Sequence, residues 1–152
     1  MKKWLVLLGL LVILAISSSM TYEQQTIIPA LEDVLANKPF EKQLSVLHIP
    51  YWDTVVSIKE RGYFKFVEFL IRKLTHFVGF GCIALGIYFA CSKRRYAAWM
   101  AIVGTALIAV IDEFRQSFTP GRMMNGQDVL LDIAGAIVFV AVVVLVKKFR
   151  NN

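Results

Sequence analysis

The sequence predicts an all-α integral membrane protein with four transmembrane helices and an extracytoplasmic segment between the first and the second. Three observations carry that expectation. The 152 residues are 57% apolar and only 18% charged, against about 45–50% and 25% in a soluble domain, and mean hydropathy is +0.60. Four apolar stretches, at residues 4–20, 74–91, 96–111 and 129–146, each approach the roughly 17–25 residues that a helix needs to cross hydrocarbon. The basic residues gather at alternate gaps between them. Lys2, Lys3, Lys93, Arg94, Arg95, Lys147, Lys148 and Arg150 supply eight positive charges with no acidic residue among them, so the positive-inside rule makes that side, and both termini, cytoplasmic. The opposite side carries the other nine basic residues and all 11 acidic ones, a balance of −2. The net +6 is therefore a topology signal that needs no nucleic-acid partner. Membrane lipids are the expected partners, with the basic flanks favouring anionic headgroups.

The elements follow in order. Residues 1–20 form the first span, an uncleaved anchor because the apolar run continues through Met20, although Ala15-Ile16-Ser17 would also suit a signal-peptide cleavage site. Residues 21–73 form the outer segment. Within it Ile28, Leu31, Val34 and Leu35 share one helical face, with Pro29 tolerated in the first turn. From 44 to 58 the apolar residues are interrupted by Pro50 and Asp53, which suits a small hairpin. Ser57 and Glu60 have capping-box spacing, but Gly62 follows so soon that a helix there is short or kinked. Tyr63, Phe64, Phe66, Phe69, Leu70 and Ile71 alternate with Lys65, Glu68, Arg72 and Lys73, as in a helix lying in the outer interface and running into the second span. Residues 74–146 make a three-span core and 147–152 a cytoplasmic tail. In the third span Ala97, Ala101, Thr105 and Ala109 repeat every four residues, a small-residue stripe suited to close helix packing or to a homo-oligomer. Cys82 and Cys91 lie among apolar neighbours and are packing residues rather than nucleophiles.

The polar exceptions sit at the outer ends of the later spans. Lys73 and His76, three apart, share a face at the entry to the second. Asp112, Glu113, Arg115 and Gln116 close the third, and Asp128 and Asp132 open the fourth. Alternating crossings bring all three groups to one depth. An ionised Asp at mid-bilayer costs about 2.5–3.5 kcal/mol, so Asp132 needs a partner among Lys73, His76, Arg115 and Arg122. Such a set either locks helices together or forms a ligand or reaction site, and so many polar groups at one rim exceed what packing three helices requires. As a ligand site it would hold the head of an amphipathic or lipid-linked molecule against Lys73, His76, Arg115 and Arg122. A phosphate could use Lys73, Arg115 and Arg122, with Gly121 permitting a tight turn. As an enzyme it would draw its acid and base from His76, Asp112, Glu113 and Asp128. Asp112 and Glu113, adjacent on a helix, point about 100° apart and need not share a proton. One histidine with scattered carboxylates lacks metal-ligand spacing, so no metal and no cofactor is expected.

Three blocks then resemble the signature of the VanZ-like membrane protein family. They are Arg72-Lys73-Leu74-Thr75-His76-Phe77, the run from Asp112-Glu113 through Gln116 to Gly121-Arg122, and Asp128-Val129 with Asp132 and Gly135. The resemblance covers residues 67–146, and residues 17–25 are also similar to members with a long outside loop. Asp132 departs from the pattern, since many members carry Asn there. The founding member is associated with low-level resistance to the glycopeptide teicoplanin. The resemblance implies a bacterial cell-membrane location and an envelope role, in antibiotic resistance or in handling a lipid or cell-wall precursor.

Overall fold

A computed structural model describes residues 2–122 and 124–150. Four helices are long and apolar enough to cross a membrane: α1 (Lys2–Ser19), α5 (Tyr63–Ala90), α6 (Ala97–Gln116) and α7 (Gly126–Arg150). Between α1 and α5 lie a 3-10 turn (Glu23–Gln25), α2 (Ile28–Val34), α3 (Glu41–Leu44), strands β1 (Ile49–Tyr51) and β2 (Thr54–Val56), and α4 (Ile58–Arg61). The strands pair antiparallel, Ile49 opposite Val56 and Tyr51 opposite Thr54. Their two-residue turn holds Trp52 at φ +55°, the left-handed region that a bulky side chain seldom adopts. Ser57 caps α4 by accepting the Glu60 backbone N–H at 3.2 Å. Gly62, at φ +78° and ψ 163°, then breaks the chain between α4 and α5 in a conformation that only glycine adopts easily.

At the second span the structure sharpens one expectation and overturns another. The interfacial helix and the span are one unbroken helix of 28 residues, because nothing between Tyr63 and Ala90 removes a backbone hydrogen bond: the stretch has no proline. At 1.5 Å per residue it is roughly 42 Å long, longer than a hydrocarbon core of about 30 Å, so its first turns stand at the rim. Glu68, read as part of a polar outer face, is fully buried. The 3-10 turn and the start of α2 fold back onto it, as described below.

α5 is the hub, packing against α7 most extensively and also against α1, α2, α4 and α6. Lipid offers apolar side chains as good an environment as the bundle does, so close backbone approach and polar contacts must hold the helices. The small-residue stripe supplies the first. Ala97, Ala101, Thr105 and Ala109 are all buried, with Ala101 against Ala84, Ala136 and Val140 and Ala109 against Leu7, Phe80 and Ile83. α1 is held differently, for it buries only Leu7 and Ser18. Leu7 sits against Gly86, and Ser18 enters the polar cluster at the far end. The hairpin packs on the start of α5 through Val56, Phe66 and Phe69, with Ile49 and Tyr51 beside them.

Candidate functional site

Side chains from α1, the segment between α1 and α5, α5 itself, α6 and α7 meet at one end of the bundle, in two parts. The first begins at Asp112, in the last turns of α6, which extends through Gln116 rather than stopping at residue 111. Asp112 accepts the Ser18 hydroxyl at 2.5 Å and the Gln116 amide at 2.7 Å. Arg115 donates to the Ala15 carbonyl at 2.6 Å and to Ser18 Oγ. Gln116 Oε1 accepts from Arg122 at 2.7 Å. Gly121, at φ +78°, turns the chain there, as its position in the sequence suggested. Arg122 also donates to Gln25 Oε1, which takes a second bond from Arg72 at 3.0 Å, while Gln25 Nε2 donates to the Ser17 carbonyl at 2.6 Å. Burial, and next to it the Arg72 charge, push the Arg122 guanidinium below its usual pKa, opposed by Asp112, Glu113 and Asp128.

These contacts form a clamp that joins the ends of α1, α5 and α6, and they yield a first prediction. Ser18→Ala removes the buried hydroxyl through which both Asp112 and Arg115 hold α1. An interhelical hydrogen bond in a membrane is worth about 0.6–1.7 kcal/mol, so α1 should loosen without the fold being lost. A Cβ built on Gly86 lies 3.6 Å from that of Leu7, within disulfide reach. In a variant lacking Cys82 and Cys91, Leu7→Cys and Gly86→Cys should cross-link severalfold more slowly when Ser18→Ala is added. An unchanged rate would mean that Ser18 does not hold α1.

The second part lies between α5 and α7. Asp128, in the first turn of α7, accepts the Tyr51 hydroxyl at 2.7 Å on both oxygens and the Lys73 ammonium at 2.5 Å. Lys73 also donates to Tyr51 Oη at 2.6 Å and stands 4.4 Å over the Tyr51 ring and 5.3 Å from that of Phe69. Burial, then the bonded Asp128, push the Tyr51 hydroxyl well above its usual pKa, so it stays a proton donor. One turn deeper, His76 Nδ1 lies 3.4 Å from Asp132 Oδ1. The two face each other as an ion pair whose alignment leaves both buried atoms without a hydrogen bond, and Asp132 is only 2% exposed. Glu113, also buried, accepts the Asn125 backbone N–H at 2.7 Å.

The structure therefore gathers Lys73, His76, Asp112, Glu113, Arg115, Gln116, Arg122, Asp128 and Asp132 at one end of the bundle. It does not bring the three cations to one point: Lys73, Arg115 and Arg122 each engage different partners. Asp112 and Glu113 diverge to Ser18 and Asn125. Among the described residues, no three His, Cys, Asp or Glu side chains converge as a metal site would require. A cleft of about 260 Å³ beside the clamp is lined by Thr21, Tyr22, Glu23, Pro120 and Gly121 rather than by these side chains. Sequence reasoning missed Ser18, Gln25, Tyr51 and Asn125 and carried Arg72 no further than its place at the head of a signature block. Only the similarity of residues 17–25 to relatives with a long outside loop pointed at two of them.

No curated protein and no solved structure matches the chain. A family model described as VanZ/LLP1 matches residues 3–147, taking in α1 and the outer segment as well as the three-span region that carries the signature. This multi-pass membrane protein belongs to the VanZ/LLP1 family.

Proposed function

We propose that this protein holds the polar head of an amphipathic or lipid-linked ligand between the start of α5 and the start of α7, at the outer leaflet of a bacterial cell membrane with both termini cytoplasmic. The ligand class includes a membrane lipid, a cell-wall precursor or a glycopeptide, and the family supports a part in antibiotic resistance. One observation carries the reading: His76 Nδ1 and Asp132 Oδ1, two buried polar atoms 3.4 Å apart, have no hydrogen-bond partner. Buried polar atoms are rarely left so, least of all within a membrane. A ligand hydroxyl bridging them, donating to Asp132 Oδ1 and accepting from His76 Nδ1, would satisfy both. Lys73 and Asp128 beside them are partly open to solvent, and Leu74 and Leu130 offer apolar surface for a tail.

The clamp has a different role in this reading. Its side chains bind one another, so Ser18, Asp112, Gln116, Arg122 and Gln25 secure the helices; Lys73 and Asp128 are likewise bound to each other and to Tyr51, and they flank the ligand while His76 and Asp132 meet it. The test is to purify the wild type, His76→Ala and Lys73→Gln, identify the retained lipids by mass spectrometry and compare teicoplanin susceptibility of cells expressing each. Both variants should lose a retained species, His76→Ala at unchanged thermal stability and Lys73→Gln with the loss that follows from breaking its ion pair with Asp128, and susceptibility should move in step. Identical lipid content and susceptibility across the three would end the proposal.

The same pair favours a second reading, an enzyme acting on a lipid-linked substrate. A carboxylate beside an imidazole nitrogen is the arrangement that orients a general base, and Asp112, Glu113 and Asp128 are the further acid and base candidates. Asp132→Asn should then abolish turnover while binding survives. Binding without turnover across a panel of envelope lipids leaves the first reading standing alone.

A further inference from the structure

The opposite end of the bundle carries a second site. A cleft of about 530 Å³ opens between the start of α1 and the end of α5, lined by Lys2, Lys3, Trp4, Phe89, Ser92 and Lys93. Among the described residues no carboxylate lies within ion-pair distance of the three lysines, and the one hydrogen bond from them runs from Lys3 to Ser92 Oγ at 3.3 Å. Neither α1, nor residues 91–96, nor the last four turns of α7 contain any Asp or Glu. Three exposed ammonium groups around one cleft give it a positive potential that favours an anion.

The walls say what kind of anion. Trp4 and Phe89 are amphipathic or apolar side chains of the sort that mark a membrane boundary, and Leu5 and Leu8 follow on α1 as lipid-facing surface. A small soluble anion would use the lysines and leave the aromatic walls unused. An anionic phospholipid uses both, its phosphodiester among the lysines and its acyl chains along α1. We propose that this cleft binds the headgroup of an anionic phospholipid through Lys2, Lys3 and Lys93.

The experiment is a titration of the full-length protein in neutral detergent with short-chain phosphatidylglycerol, phosphatidylcholine and inorganic phosphate, read by native mass spectrometry and microscale thermophoresis. Phosphatidylglycerol should bind saturably, and the other two should bind at least tenfold more weakly. Each lysine contributes on the order of a severalfold change in affinity for anionic lipid, so the triple variant K2Q/K3Q/K93Q should bind about ten to a hundred times more weakly. Removing those charges could also change how the chain inserts. Ser92→Glu therefore serves as a second variant: it keeps every basic residue, places a carboxylate beside Lys3 and should weaken binding similarly. K147Q/K148Q/R150Q removes the same number of charges from outside the cleft and should leave binding within twofold of wild type. Equal loss in that control would reduce the effect to general surface charge and overturn the site. So would phosphate binding as tightly as the lipid, or unchanged affinity in Ser92→Glu.

Discussion

Gly135→Ala should destabilise the bundle by about 1–3 kcal/mol or more, the larger end being expected because backbone, not a side chain, is in the way. A Cβ at Gly135 would overlap the carbonyl oxygen of Phe77 and lie 3.0 Å from its carbonyl carbon and 3.2 Å from its Cα. No rotamer relieves such a contact, so α5 and α7 must move apart. The consequence is local as well as global. Phe77 follows His76 in α5, and Gly135 stands one turn beyond Asp132 in α7, so the glycine sets the approach that leaves His76 Nδ1 and Asp132 Oδ1 3.4 Å apart. Thermal denaturation in detergent should show a lower midpoint for Gly135→Ala. Gly79→Ala, where an added Cβ meets nothing within 4 Å, should be neutral or raise it, by up to about 1 kcal/mol from helix propensity. If both variants melt alike, the close crossing of α5 and α7 is not what the structure describes.

How far the sequence revealed this arrangement depends on the reach of each signal. The spans were legible because hydrocarbon imposes length and apolarity on any helix that crosses it. The hairpin was legible because Pro50 and Asp53 interrupt an otherwise apolar run, and the short α4 because Ser57 and Gly62 bracket it. Alternating crossings also predicted that residues near 73, 112 and 128 would reach one end of the bundle. Their partners were not legible. Asp112 meets Ser18 across 94 positions and Asp128 meets Tyr51 across 77, whereas pattern reading on a helix sees only neighbours three or four apart. Rim charges that looked like one ligand cradle in sequence are consequently divided among a clamp, in which only Arg72 Nε lacks a partner among the buried atoms, a Lys73–Tyr51–Asp128 cluster and the His76–Asp132 pair.

Glu68→Ala tests the other half of that division and is expected to cost about 3 kcal/mol. Glu68 is fully buried and accepts the Tyr22 hydroxyl at 3.0 Å, the Thr26 hydroxyl at 2.9 Å and the Ile27 backbone N–H at 2.8 Å, with Arg72 at 3.3 Å. Removing one partner of a buried charged pair costs about 3–5 kcal/mol. The lower end applies here because Arg72 keeps Gln25 and the Tyr22 carbonyl as acceptors. The three donors from residues 22–27 would lose what fixes them to α5, and Gln25 with them, so the clamp at Arg122 and Gln116 should slacken. Hydrogen exchange should rise across residues 22–34 and change little in α7. Glu68→Ala with Arg72→Ala should recover part of the loss, since no unpaired guanidinium then remains. Lower stability in Glu68→Ala beside unaltered stability in His76→Ala would separate a residue that holds the segment between α1 and α5 against the bundle from one that serves the proposed ligand site. Equal stability losses in the two would mean that the whole rim is one structural network.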